Sequence, residues 1–353
     1  MTRKPTPAKS TDSPGDFAAL IKVIKDSVTV FDPPPADFDP FSASPQQLQE
    51  FGFPPRPDPV RLPLLHMFWR RMFDPPTYFE KFDLLSEDLT LVANLLTDRL
   101  RASLGGPTRR QGSLNWSGAY VTPRDGTIFN SVHGAWQVPT PQRPGPASAG
   151  STFFSSSTWV GLDGQRRYYQ SSLPQIGTGQ DLDVAAVPPD QYRAWWQWWV
   201  RDLTGAGIPI PLPHPVVRHG DFMMASIYAN TARDGVKFII KNISNGQATM
   251  FDQAAPSPTA GNPPLRISGA TAEWIMERPS VGSQIQILPN YGTVLFSHCL
   301  AVAADPHGGP NVERNVEVAK RIDMREVRHN PERTAIMSIT KAVDEDEFMA
   351  VYR

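Results

Sequence analysis

The sequence holds a single cysteine, Cys299, carries almost no net charge and contains no long apolar run. Each scarcity excludes something. One thiol forms no internal disulfide and cannot by itself build a structural zinc site, so thiol frameworks and zinc modules fall away. With 34 Lys plus Arg against 35 Asp plus Glu, the formal net charge is -1, and the electrostatic case for a nucleic-acid partner is missing. No stretch approaches the ~18 consecutive apolar residues of a membrane helix. The start, MTRKPTPAKSTDSPGDF, lacks the roughly 7 to 15 residue apolar segment of a secretory signal. The expectation is a chain with neither membrane nor nucleic acid as partner, cytoplasmic or exported by a route that needs no such signal. Nucleotide-binding glycine loops, H-E-x-x-H and G-x-S-x-G are also absent, and the nearest histidine pair, His214 and His219, lies in a proline loop without ligand spacing.

What the sequence has in excess is proline, 37 of 353 residues, which disfavours long helices and favours short elements joined by turns. Composition changes near residue 110. Residues 1–110 read as a proline-rich, partly helical extension, whose first dozen residues are polar and whose stretch 32–40, DPPPADFDP, reads as an extended, poorly packed linker. Ser44 before Pro45, with Gln47 three positions on, predicts a short capped helix that Gly52 stops. A second helix is predicted from about Ser86 to Leu104, where Leu89, Val92, Leu96 and Leu100 recur every three or four residues ahead of Gly105 and Gly106. Residues 111–353 read as one all-β domain. Strand-like runs at 222–230, 236–243, 271–278 and 292–299, then RTAIMSITKAV and EFMAVYR near the C-terminus, suggest a sandwich or barrel of antiparallel strands.

Three features could carry chemistry. The run YRAWWQWWV (192–200) would, on a strand, turn Trp195, Gln197 and Trp199 to one face and Trp196 and Trp198 to the other, so that one face lines a cleft and the other fills the core. In STWVGLDGQRRYYQSSLPQIGTGQ (157–180), Trp159, Gly161 and Asp163 would share a face. Glu273 interrupts an otherwise apolar strand, either at a sheet edge or inside a cleft with work to do.

The ordered set NWSGAYV (115–121), VHGAWQVPTP (132–141), WVGLDG (159–164), LPQIG (173–177), YRAWWQWW (192–199), TAEWIMER (271–278) and YGTVLF (291–296) resembles the glutamic peptidases, the eqolisins once grouped as peptidase A4, and in its lack of disulfides their bacterial members. The resemblance implies a concanavalin-like sandwich of two antiparallel sheets. It also implies hydrolysis of polypeptides in acid, without metal or cofactor, by a glutamine and glutamate pair at Gln175 and Glu273. Trp159, Asp163 and Glu277 would support that pair, and Trp195, Gln197 and Trp199 would line the substrate groove. Gln170 and Gln180 remain rivals of Gln175. The extension 1–110 would be a propeptide inhibiting a monomeric zymogen from within the chain, with a helical segment over the groove.

Arg193 and Gln197 stand where fungal relatives commonly carry acids, which predicts a less extreme acid optimum and an altered side-chain preference. The competing reading is a non-catalytic carbohydrate- or peptide-binding sandwich that uses the tryptophan strand. Glycoside hydrolysis, with Asp163 and Glu273 as the one obvious carboxylate pair, ranks third.

Overall fold

The computed structural model describes residues 22–82, 103–104, 110–145, 150–165, 172–200, 209–256, 265–281, 284–327 and 334–353. Its N-terminal part contributes β1 (Val28–Val30), helices α1 (Pro45–Glu50) and α2 (Pro63–Phe73), β2 (Tyr78–Phe79) and β3 (Ser103–Leu104). The body follows with β4 (Arg110–Ser113), β5 (Trp116–Val121), β6 (Ile128–Gln137), β7 (Phe153–Leu162), β8 (Ser172–Asp183), β9 (Asp190–Val200) and β10 (Ile210–Leu212). Next come β11 (Phe222–Ala229), β12 (Gly235–Asn242), β13 (Gln247–Ala254), β14 (Ala272–Glu277) and the small hairpin β15 (Ser280–Val281) and β16 (Gln284–Ile285). The chain closes with β17 (Thr293–Ala304), β18 (Val312–Asn315), β19 (Lys320–Val327), β20 (Thr334–Ala342) and β21 (Phe348–Tyr352).

Two antiparallel layers face each other. The front sheet runs β5-β14-β7-β8-β9-β10 and the back sheet β13-β12-β11-β6-β17. Strands β21, β20 and β19 carry the hydrogen bonding from β17 round to β5. Two short pairings, β4 with β19 and β2 with β13, are parallel. Alternation explains the layering: Val236, Phe238 and Ile240 on β12 meet Ala272, Trp274 and Met276 on β14 and Trp196 and Trp198 on β9 in one buried core. The expected antiparallel sandwich is the observed architecture, and the six strand-like runs named from the sequence are all strands.

The N-terminal part departs from the sequence expectations. Helix α1 forms as expected: Gln47 N–H donates to the Ser44 hydroxyl at 3.3 Å, Ser44 N–H donates to the Gln47 side chain at 2.9 Å, and Gly52 follows at φ +78°. The stretch 32–40 is not an extended linker. Phe38 N–H closes a turn onto Pro35 and its ring packs 5.0 Å from Phe51 and 5.3 Å from Phe53, because the phenylalanines between the prolines have a shared apolar surface to fill. Helix α2 was not expected at all. Of the helix predicted over 86–104, residues 103–104 are instead strand β3, paired with β4, and the rest lies outside the described residues.

Helices α1 and α2 lie on the outer face of the back sheet. Leu48, Phe53, Phe68, Trp69, Met72 and Phe73 bury themselves against Ala135, Met224, Ile239 and Met250. At about 1.5–3 kcal/mol for each large apolar side chain removed from water, this contact outweighs the weak intrinsic stability of an 11-residue helix. The body also caps α2 at both ends. Glu313 accepts from Leu65 N–H at 2.7 Å in the first turn, and the Lys241 ammonium donates to the Asp74 carbonyl at 2.8 Å just past the last, each charge opposing the helix dipole.

Candidate active site

The outer face of the front sheet carries the residues singled out from the sequence, and strand register decides how they meet. Glu273 is the Cα partner of Tyr120 on one side and Gly161 on the other; Gly161 is in turn the partner of Gln175, and Gln175 of Gln197. Directly paired residues point to the same face. One row across five strands therefore reads Tyr120, Glu273, Gly161, Gln175, Gln197. With strands about 4.8 Å apart, Glu273 and Gln175 start about 9.6 Å apart, with a glycine between them. A methyl group there would stand 2.7 Å from Leu173 Cδ1 and 3.3 Å from the Pro174 carbonyl, so even the smallest side chain would displace Leu173. Its absence leaves the carboxylate and the amide free to converge on one small volume.

Both groups are buried, Glu273 at 0% and Gln175 at 1% exposure. Gly164 N–H donates to Glu273 Oε1 at 3.0 Å. The Gln175 amide nitrogen donates to the Gln197 side-chain oxygen, which fixes its orientation, while Gln175 Oε1 has no hydrogen-bond partner among the described residues. A buried amide oxygen without a donor is costly, by about 1–3 kcal/mol, and is poised to accept from a small molecule or a water. Gln197 is thus both a groove residue and the orienting partner of Gln175.

The next row is aromatic and contains Ile275, Trp159, Gly177 and Trp195. Trp195 packs with Leu173 and Trp159 on the face that carries Glu273 and Gln175, and half-buried Trp199 packs on the same cluster, whereas Trp196 and Trp198 fill the core. The Trp195 indole N–H is buried and has no acceptor among the described residues. Trp159 is locked from two sides: its N–H donates to Glu277 at 2.7 Å, and Trp116 meets it edge-on at 5.0 Å. The other Glu277 oxygen accepts from Asn115 at 3.1 Å. Glu277 therefore serves as an anchor for the tryptophan floor.

Asp163 corrects one expectation. Strand β7 ends at Leu162, and Asp163 adopts φ +68°, so it does not share the face of Trp159 and Gly161. Its carboxylate accepts from Ser268 N–H at 2.5 Å and Ala270 N–H at 2.8 Å. Burial pushes its pKa up while these donors pull it back. It braces the segment leading into β14 and sets the turn that delivers Gly164 to Glu273. Of the rivals to Gln175, Gln180 has the opposite parity on β8 and donates to Thr178 at 2.6 Å, away from the groove, and Gln170 lies outside the described residues.

Sequence reading missed Tyr120, Asn115 and Gly164 as parts of the site. The signal for Tyr120 was available, since the alternation in NWSGAYV places Trp116, Gly118 and Tyr120 on one face; the other two depend on turns.

The Peptidase A4 family matches this chain over residues 114–342, from just before β5 to the end of β20. Among solved structures the chain is similar to SCP-B, described as a member of the eqolisin family of peptidases in a complex with the tripeptide Ala-Ile-His. The identity is 17%, over 68% of this chain and 98% of that one, with a TM-score of 0.46. A fainter likeness is to tailspike protein 2 of Escherichia coli O157:H7 bacteriophage CAB120, at 11% identity over 57% of this chain and 24% of that one, TM-score 0.27. Another is to the CBM40 module of a Ruminococcus gnavus sialidase, at 10% identity over 48% and 93%, TM-score 0.16. No curated protein matches. The family match covers well over half of the sequence and contains every strand of the row just described, and on that ground this chain belongs to the Peptidase A4 family and is a peptidase.

Proposed function

We propose that the chain is a glutamic endopeptidase that cuts polypeptides in acid with Glu273 and Gln175. The observation that carries this reading is the row in which Glu273 and Gln175 flank Gly161, both buried, with Gln175 Oε1 still to be satisfied. Ionised Glu273 takes a proton from a water as the water oxygen attacks the scissile carbonyl carbon. The free hydrogen of the Gln175 amide donates to the developing oxyanion, and its carbonyl oxygen holds the water. Collapse of the tetrahedral intermediate breaks the C–N bond, and Glu273 returns the proton to the leaving amine. The chemistry needs no covalent enzyme intermediate, no metal and no cofactor, so neither pepstatin nor chelators should inhibit it.

The zymogen reading is narrowed by the fold. Residues 22–82 sit on or beside the back sheet, opposite the Glu273 row, so inhibition by the N-terminal segment would fall to residues 1–21 and 83–109, most of which are outside the described set.

The test is digestion of an unfolded protein from pH 2 to 7 by the wild type, Glu273→Gln and Gln175→Ala, with intact mass followed throughout. Acid cleavage by the wild type alone, with pepstatin and chelators present, supports the dyad; loss of an N-terminal fragment as activity rises supports the zymogen. Full activity in Glu273→Gln would sink the mechanism. The second reading, carbohydrate or peptide binding without catalysis, draws on Trp195 and Trp199 in the groove. It becomes the better one if the folded wild type cuts nothing even after residues 1–110 are removed.

A further inference from the structure

The catalytic row does not stop at Tyr120. Lys320, the first residue of β19, is the Cα partner of Tyr120, so the row continues Lys320, Tyr120, Glu273, Gly161, Gln175, Gln197. The Lys320 ammonium stands 5.6 Å from the centroid of the Tyr120 ring. An aromatic face orients a cation without neutralising it. Among the described residues, two cations, Arg193 and Lys320, share the face of this row. Arg193 is ion-paired to Asp181, which also takes the Ser155 hydroxyl. Lys320 has no carboxylate within ion-pair distance among the described residues. Among the described residues its charge is thus the one without a carboxylate partner on this face, and it is half-buried, so water screens it only in part.

We infer that Lys320 sets substrate preference by receiving a carboxylate of the bound peptide on the β5 side of the scissile bond. This rests on the peptidase reading above. Lys320 starts two strand spacings, about 9.6 Å, from Glu273, and an extended peptide advances about 3.4 Å per residue. A substrate side chain two or three residues from the cut, or a free C-terminal carboxylate at that distance, reaches the ammonium. A basic side chain in the same place is repelled.

The experiment uses quenched fluorescent peptides with Glu, Gln or Lys at each of three positions on either side of the cut, with free or amidated C-termini, at pH 5 where most substrate carboxylates are ionised. The wild type should cut the Glu peptide about 5- to 10-fold better than the Gln peptide, by kcat/KM, at one position. Lys320→Met should bring that ratio to about 1, Lys320→Arg should retain it, and Lys320→Glu should turn the preference towards Lys. A preference lost on amidation assigns the anion to the chain terminus, and one kept on amidation assigns it to a side chain. The proposal is overturned if Lys320→Met keeps the ratio, or if it slows Glu and Gln peptides by the same factor, the mark of an effect exerted through Glu273. Binding of the same peptides to Glu273→Gln, with and without the Lys320 change, separates the two readings. Discrimination in binding with no cleavage by the wild type keeps Lys320 as the reader and sinks the catalytic assignment.

Discussion

The two outer faces of the sandwich follow opposite rules. On the back face, polar side chains are buried and fully engaged: His133 lies 2.9 Å from both the Ser226 and Ser131 hydroxyls, and Lys241 donates to the Asp74 carbonyl and, at 2.6 Å, to Thr77. An aromatic layer seals them, with Phe68 5.2 Å from the His133 ring. On the front face, burial is as deep, yet Gln175 Oε1 and the Trp195 N–H are left without partners among the described residues, and Gly161 stands between Glu273 and Gln175. Polar burial alone therefore does not mark a site. Among the described residues, an unsatisfied amide oxygen in the same row as a buried carboxylate is the feature the back face lacks.

The comparison breaks most sharply at Glu273. Glu273→Gln preserves shape and removes the proposed base, so peptide hydrolysis should fall by about 10²–10⁴-fold while the melting temperature stays near wild type. A matched loss of stability would show that Glu273 belongs to the packing rules of the back face instead. The converse break is Trp69→Ala. Trp69 is 1% exposed at the centre of the aromatic layer, and its truncation should cost about 3–5 kcal/mol in denaturant unfolding. Turnover per folded molecule should not change, because the layer and the groove are on opposite faces.

How much of this was legible in the sequence follows from what is local and what is not. Strand alternation placed Trp195, Gln197 and Trp199 on the face of the Glu273 row and Trp196 and Trp198 in the core, and a four-residue pattern specified the α1 cap. Helix α2 carried its own stripe, Leu65, Phe68, Trp69 and Met72, but prolines on both flanks hid it within the proline-rich extension. The charges capping α2 come from Glu313 and Lys241, which are remote in sequence, so no local pattern could reveal them. The choice of Gln175 over Gln180 required knowing that β8 pairs Gln175 with Gly161, a register that spacing alone does not give. Asp163 misled because one residue at positive φ ends the alternation that had assigned it a face.

Acid sharpens the contrast between the faces. Burial lowers the His133 pKa from 6.5 to about 3, so the folded protein keeps the ring neutral where the unfolded chain would protonate it. The stabilisation is whole above about pH 6.5 and is lost as pH falls towards 3, at about 1.4 kcal/mol per pH unit. Unfolding midpoints measured from pH 7 to 3 should decline on this account, and His133→Asn, which cannot titrate, should flatten the decline. An unchanged slope in the variant would place the acid sensitivity elsewhere.

The smallest expected effect tests whether the N-terminal layer is stabilised by its own local signals as well as by burial. The two hydrogen bonds of the Ser44–Gln47 box are exposed to solvent, so Ser44→Ala removes an acceptor for one helix N–H without opening a cavity. Water can replace that acceptor in part. The cost should therefore be about 0.5–1 kcal/mol in chemical denaturation, well below that of Trp69→Ala, and peptide hydrolysis should be unaffected. If Ser44→Ala instead matched the tryptophan substitution, the six-residue α1 would be nucleating the whole layer, and the aromatic contacts would depend on the cap rather than compensate for it.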